Sequence, residues 1–194
     1  MSLTIEKCLQ AWANSLRQMK AKADIVFFGD SLTYYGNFAS VFPNKVVCNL
    51  GLRGDTIRGM IERIEQVQML EPKQVFLMAG INDVGKCSLD IFGKQYEELI
   101  DTILVKVPYA ELVVQNILPV NDRDYTINCS NKQIIDCNEL IARIVAQNSI
   151  MYLDLYSVYV KEGLLPIKET VDGIHLKSEA YYGWLSLLKQ FIIE

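Results

Sequence analysis

Residues 25–33 read Ile25-Val26-Phe27-Phe28-Gly29-Asp30-Ser31-Leu32-Thr33. Four apolar residues, too few for a helix, stop at a glycine followed by a polar pair. That pattern predicts a strand buried on both faces which ends in a sharp turn. Similar short, β-branched runs recur at 46–50, 75–79, 112–115 and 150–153. Between and after them lie stretches with helical spacing at 56–69, 90–107, 131–146 and 178–193. Strand and helix alternate, which favours a parallel sheet covered on both faces, because right-handed crossovers lay successive helices over it. The expected fold is α/β, a three-layer α/β/α sandwich.

Upstream, Leu9, Trp12, Ala13, Leu16 and Met19 fall on one face of a predicted helix over 5–20. Downstream, residues 118–130 form the longest irregular stretch, too polar for a core and too long for a plain turn. No linker, internal repeat or low-complexity tract divides the 194 residues. One domain spanning 1–194 is therefore expected, large enough to bury roughly 70 % of its unfolded surface.

Composition narrows the function. A net charge of −4 with 22 % charged residues offers no basic run to neutralise phosphates, so no nucleic-acid partner is expected. The apolar runs are far shorter than the roughly 18 residues a spanning helix needs, so no membrane span is expected. The first 20 residues interleave charges with apolar residues, unlike a secretory signal, and point to the cytoplasm. Met1-Ser2-Leu3 is also compatible with a cloning remnant standing where an export signal was trimmed. Five cysteines, at 8, 48, 87, 129 and 137, form no C-x-x-C pair, and there is a single histidine. Neither a metal nor another cofactor is expected from that inventory. Oligomeric state is left open.

In open α/β sheets, ligands bind at the carboxyl ends of the strands, so the residues following each strand are the ones to inspect. After the first run, Gly29 permits a tight turn and Ser31 is placed like a nucleophile; the alternative is a serine that merely starts a helix. After the second, Asn49-Leu50-Gly51-Leu52-Arg53-Gly54-Asp55 could aim backbone N–H groups at a ligand, or could simply be a turn with a capping aspartate. After the third, Asn82 could donate its amide hydrogens to an oxyanion, although Asn-Asp pairs are also common turn formers. Near the end, Asp172 precedes His175 by three residues, a spacing that suits a base and the carboxylate that orients it. Four strand-end loops thus each offer one part of a serine hydrolase.

In that order, the blocks Gly29-Asp30-Ser31-Leu32, Gly51, Gly80-x-Asn82-Asp83 and Asp172-x-x-His175 resemble those of the SGNH hydrolases, also called GDSL esterases and lipases. No G-x-S-x-G is present, which argues against a nucleophile elbow. The compact length, the Gly51-x-Arg53-Gly54 stretch and Ile117-Leu118-Pro119 look most like the platelet-activating-factor acetylhydrolase-like bacterial esterases. The resemblance implies a flavodoxin-like, five-stranded parallel sheet in the order 2-1-3-4-5. It implies Ser31 as nucleophile, His175 as base, Asp172 as orienter, and Gly51 N–H with the Asn82 amide as oxyanion donors.

The expected activity is hydrolysis of a small-molecule carboxylic ester through an acyl-enzyme on Ser31, with a short acyl group such as acetyl. Because the base must be neutral, activity is expected to rise with pH. Arg53, Asn121 and Arg123 are candidates to line the leaving-group side. A thioesterase or acyltransferase would use the same residues. A non-catalytic small-molecule-binding module on the same sheet would keep the four motifs as turn chemistry only.

Overall fold

The computed structural model describes residues 22–191; the helix expected over 5–20 lies outside them. Five parallel strands, β1 (Ile25–Gly29), β2 (Val47–Gly51), β3 (Gln74–Met78), β4 (Glu111–Gln115) and β5 (Met151–Leu153), form one sheet in the order β2-β1-β3-β4-β5. The register aligns their carboxyl ends: Gly29 lies opposite both Gly51 and Met78, Met78 opposite Gln115, and Gln115 opposite Leu153. The turns that leave these strands therefore meet along one edge.

Side chains alternate across the sheet as the strand period requires. Val26, Phe28, Val75, Leu77 and Val114 join Met60, Val67, Tyr96, Ile100, Ile134 and Ile141 in one buried cluster. That face is covered by the Ile57–Glu62, Glu65–Met69, Leu89–Lys106 and Asn131–Gln147 helices. Ile25, Phe27, Phe76, Met78 and Val113 point the other way, against Phe38, Phe42, Trp184 and Leu188. There Phe27 stacks between Phe38 and Phe76, with ring centroids 3.8 and 4.8 Å away. Trp184 closes the layer and satisfies its own N–H, donating from Nε1 to Gln115 Oε1 at 2.6 Å. Three layers result.

The helix expected over 56–69 is broken into Ile57–Glu62 and Glu65–Met69. Thr56 caps its start through Oγ1, which accepts from Gly59 N. The break falls at Arg63, whose φ of −112° and ψ of 14° leave the helical region while its side chain turns inward beneath the strand ends. The closing segment runs as a 3₁₀ turn, the Tyr181–Leu188 helix and a second 3₁₀ turn over Lys189–Phe191.

The stretch read as too polar for a core is partly core. Residues 117–121 are buried. Two side-chain amides from the Asn131–Gln147 helix stand in for a neighbouring strand. Asn138 Oδ1 accepts from Ile117 N at 2.9 Å and its Nδ2 donates to Ile117 O at 2.8 Å. Asn131 does the same for Val120, at 2.9 and 2.8 Å. Irregular backbone can be buried here because its polar groups are paired.

Candidate active site

Gly29 ends β1 where no side chain fits, since a Cβ there would lie 2.7 Å from Met78 O and close to Thr33 as well. Asp30 caps the one-turn helix Ser31–Tyr34, its Oδ1 accepting from Leu32 N at 2.9 Å. Ser31 is thereby held at the carboxyl edge. Its Oγ lies 2.8 Å from His175 Nε2, across 144 residues of chain.

His175 sits on a loop built to present it. Thr170 and Leu176 bridge antiparallel, Val171 N and Thr170 Oγ1 both donate to His175 O, and Gly173 N donates to Thr170 Oγ1. Gly173 takes a φ of +91°, and a Cβ there would meet Tyr125, Ile127 and Asn121 O within 3.0 Å. The 121–127 segment thus backs the histidine loop, and Asn121 N donates to Gly173 O at 2.8 Å. This corrects the reading of Asn121 as a leaving-group contact. It is buried, with both ends of its amide committed to Asp124. Arg123 is exposed beside it.

Asp172 Oδ2 lies 2.6 Å from His175 Nδ1, while Oδ1 accepts from His175 N at 2.8 Å and Ile174 N at 3.0 Å. Partial burial alone would raise this carboxyl, but the hydrogen bonds from His175 and Ile174 outweigh it and hold the group below its ordinary range. Ser31, His175 and Asp172 therefore form a continuous hydrogen-bonded line.

The Gly51 N–H is differently employed from what its sequence block implies. It donates to Asn49 Oδ1 at 2.8 Å, and Asn49 Nδ2 in turn holds Thr33 O and Gly36 O at 2.8 and 2.9 Å. The lack of a side chain at Gly51 serves packing, because a Cβ would come within 2.1 Å of Tyr34 N. Three residues on, Gly54 adopts a φ of +75° in a turn closed by Asp55 N donating to Leu52 O. No hydrogen bond engages its N–H among the described residues. Asn82 is anchored next to this turn, its Nδ2 donating to Asp55 O at 2.9 Å, which leaves the second amide hydrogen uncommitted.

One exposed tyrosine lies against the histidine. The Tyr35 ring meets the His175 imidazole edge to face, centroids 5.8 Å apart, and the Arg53 guanidinium lies over Tyr35 at 5.8 Å. Arg53, expected on the leaving-group side, thus lies over the tyrosine that meets His175.

Residues 27–182 match the sequence model of the GDSL-like lipase/acylhydrolase family. The chain belongs to that family. As a GDSL-like lipase/acylhydrolase it is a carboxylic ester hydrolase, and the 2-1-3-4-5 sheet is the family's fold. Among solved structures it is similar to a protein from Streptococcus pneumonia provisionally named as a platelet activating factor, at 22 % identity and a TM-score of 0.80 over 98 % of this chain and 99 % of that one. A GDSL-like lipase from Bacteroides thetaiotaomicron matches at 21 % identity and a TM-score of 0.75, covering 94 % and 96 %. A lipase/acylhydrolase from Enterococcus faecalis matches at 19 % and 0.70, covering 87 % and 94 %. At these identities the likeness speaks for the fold. No curated protein matches the chain.

Beneath the edge of this GDSL-like hydrolase lies a cluster of buried titratable groups: Asp30, Asp55 and Asp83, which the strand-end motifs carry, and Arg63, which they do not. Arg63 donates to Asp55 Oδ2, to Leu50 O and to Gly29 O, and stacks 4.3 Å above the Phe28 ring. Burial raises Asp55 and lowers Arg63 from their ordinary values, and each one's charge counters the shift on the other. Asp83 is also raised by burial, against the hydrogen bond it accepts from Ile57 N. Asp30 is pushed up to about 7, first by complete burial and then by the charges of Asp55 and Asp83, with the Leu32 N–H and Arg63 pulling the other way. Its Oδ2 has no hydrogen-bond partner.

One sequence signal could have found Arg63. On helical spacing it falls within the apolar stripe of Met60, Ile64 and Val67, where a charge is out of place. Among the described residues, no group of three or more His, Cys, Asp or Glu side chains converges as a metal site, and no helix is long and apolar enough to cross a membrane.

Proposed function

We propose that this chain, read as one domain over 1–194, hydrolyses a small-molecule ester by forming an acyl-enzyme on Ser31. Neutral His175 takes the proton from Ser31 Oγ as that oxygen bonds to the ester carbonyl carbon, and the carbonyl electrons move onto its oxygen. Asp172 keeps the imidazole in the tautomer with the proton on Nδ1 and stabilises its charged form. As the tetrahedral intermediate collapses, His175 returns the proton to the departing alcohol. Water, deprotonated by the same imidazole, then cleaves the acyl-enzyme and restores Ser31.

The oxyanion donors we assign are the Ser31 and Gly54 N–H groups and the free Asn82 amide hydrogen. Gly54 takes the part that the sequence resemblance gave to Gly51, because the Gly51 N–H is already spent on Asn49. Each such donor contributes on the order of 10²- to 10³-fold in rate. We assign a short acyl group such as acetyl, in keeping with the short loops around the edge, and place the alcohol half along Tyr35 and Arg53, next to the proton donor. We also place the protein in the cytoplasm.

The observation that carries this reading is the Ser31–His175–Asp172 line, with separations of 2.8 and 2.6 Å. The test is hydrolysis of p-nitrophenyl acetate by the wild type beside Ser31→Ala and His175→Ala, with circular dichroism on each. Both folded variants should lose most of the wild-type rate, and an ester probe should label only chains that retain Ser31. Equal rates in all three would make the site a binding module.

A further inference from the structure

Arg63 uses every donor it has. Its side chain is 4 % exposed. Nε donates to Asp55 Oδ2 at 2.7 Å, and Nη1 to Leu50 O at 2.9 Å and Gln66 Oε1 at 3.3 Å. Nη2 donates to Gly29 O at 3.0 Å and lies 2.7 Å from Asp55 Oδ2. Five N–H bonds thus meet five acceptor contacts, the full capacity of a guanidinium.

What matters is where the acceptors lie in the chain. Gly29 O belongs to the residue before Asp30-Ser31, so one bond grips the root of the nucleophile turn. Leu50 O precedes Gly51, and Asp55 follows Gly54, so two more grip both ends of the turn carrying the Gly54 N–H. Asp55 O also receives Asn82 Nδ2 at 2.9 Å, which brings the third loop into the same frame. The guanidinium is a flat fork, and Phe28 beneath it at 4.3 Å fixes the plane. A lysine is a point charge on a flexible stem and cannot hold two carbonyls and a carboxylate in one plane.

A residue of this sort is expensive if it serves stability alone. A buried ion pair is often no better than apolar packing of the same volume, whereas a fixed geometry between nucleophile and oxyanion donors enters the rate directly.

We infer that Arg63 is a positioning residue: through Gly29 O, Leu50 O and Asp55 it sets the separation between Ser31 and the oxyanion donors Gly54 and Asn82. This rests on the Ser31 acyl-enzyme reading above. Arg63 touches no reacting atom and acts through the backbone it holds. A shift of the two turns by about 1 Å is enough to cost on the order of 10²-fold in rate.

The experiment uses the full chain with p-nitrophenyl acetate, and counts competent sites by end-point labelling with a fluorophosphonate, so that turnover is expressed per labelled serine. Two variants are compared with wild type. Arg63→Lys keeps a cation and loses the fork. The double variant Arg63→Met/Asp55→Asn removes both buried charges together, so a folded protein is available even if Arg63→Lys strands Asp55 and fails to fold. Turnover per labelled serine is expected to fall about 10²-fold in each folded variant, with KM changed less than about threefold.

A purely structural Arg63 predicts a different result: fewer labelled serines or a lower Tm, but wild-type turnover for each serine that labels. That outcome, in either variant, overturns the inference. If wild type itself shows no Ser31-dependent hydrolysis, the acyl-enzyme reading fails first, and the two failures are told apart by the Ser31→Ala control.

Discussion

Replacing Asp30 by Asn should change stability by an amount that depends on pH. Asp30 is fully buried and its carboxyl is raised to about 7. Because that value lies above the unfolded one of about 3.8, the folded chain keeps this proton longer than the unfolded chain does, and stability is lost as pH rises from about 4 to 7. Proton linkage puts the cost of ionising Asp30 in the fold at about 4 kcal/mol at pH 8 and about 1 kcal/mol at pH 4.5. Asparagine retains an oxygen to accept from Leu32 N, and carries no charge. It does bury an amide N–H₂ where Oδ2 has no partner, at a pH-independent cost of roughly 1–3 kcal/mol.

The variant should therefore be more stable than wild type at pH 8 by about 1–3 kcal/mol, and equal or less stable at pH 4.5. Urea denaturation at the two pH values measures this, provided the m-values agree. Asp55 and Asp83 remain in both proteins, so their own titration largely cancels in the difference. An identical stability difference at both pH values would refute the reasoning, since it would mean that Asp30 ionises in the fold as readily as in the open chain.

Asp172→Asn replaces a charge-assisted bond to His175 Nδ1, worth about 1.5–3 kcal/mol, so kcat should fall roughly 10- to 150-fold; with 51 % of the side chain exposed, solvent keeps the loss toward the smaller figure. A stopped or steady-state assay showing less than a threefold change removes Asp172 from the mechanism. Asn82→Ala should lower kcat about 10²-fold with little change in KM, because the amide hydrogen is used only when the oxyanion forms; an unchanged kcat excludes it as a donor. Gly51→Ala pushes a methyl against the Tyr34 backbone, 2.1 Å away, and should cost about 1–3 kcal/mol in thermal unfolding together with activity, as the nucleophile helix is displaced. A variant with wild-type Tm and rate would show that the turn has slack.

The three central strands were legible because each is a short apolar run buried on both faces, and the alternation with helices needs no long-range information. Ser31 and Asn82 stood out as candidates because each follows a strand end, and Asp172 and His175 because the pair sits together in the loop ahead of the closing helix. The choice between Gly51 and Gly54 was not legible. Two glycines in one turn look alike in sequence, and only the side chain of Asn49, reaching forward two residues, decides which N–H is spent. The break at Arg63 was likewise hidden, since its cause is a set of carbonyls 13 and 34 residues away. The stretch 118–130 looked too polar to bury because the partners of the buried backbone around its start, Asn131 and Asn138, lie on the next helix.

The 144 residues between Ser31 and His175 also set a clock. On a ribosome adding about 5–20 residues per second, the serine emerges roughly 7–30 s before the histidine. During that interval β1 to β4 can begin to assemble, yet Ser31 lacks its His175 partner, and on the mechanism proposed above the chain then has no base with which to form an acyl-enzyme. On the same mechanism, competence awaits the docking of the 170–176 loop on the 121–127 segment. In refolding, hydrolysis should accordingly trail the recovery of secondary structure, and the interval between the two reports how long that last loop takes to find its seat.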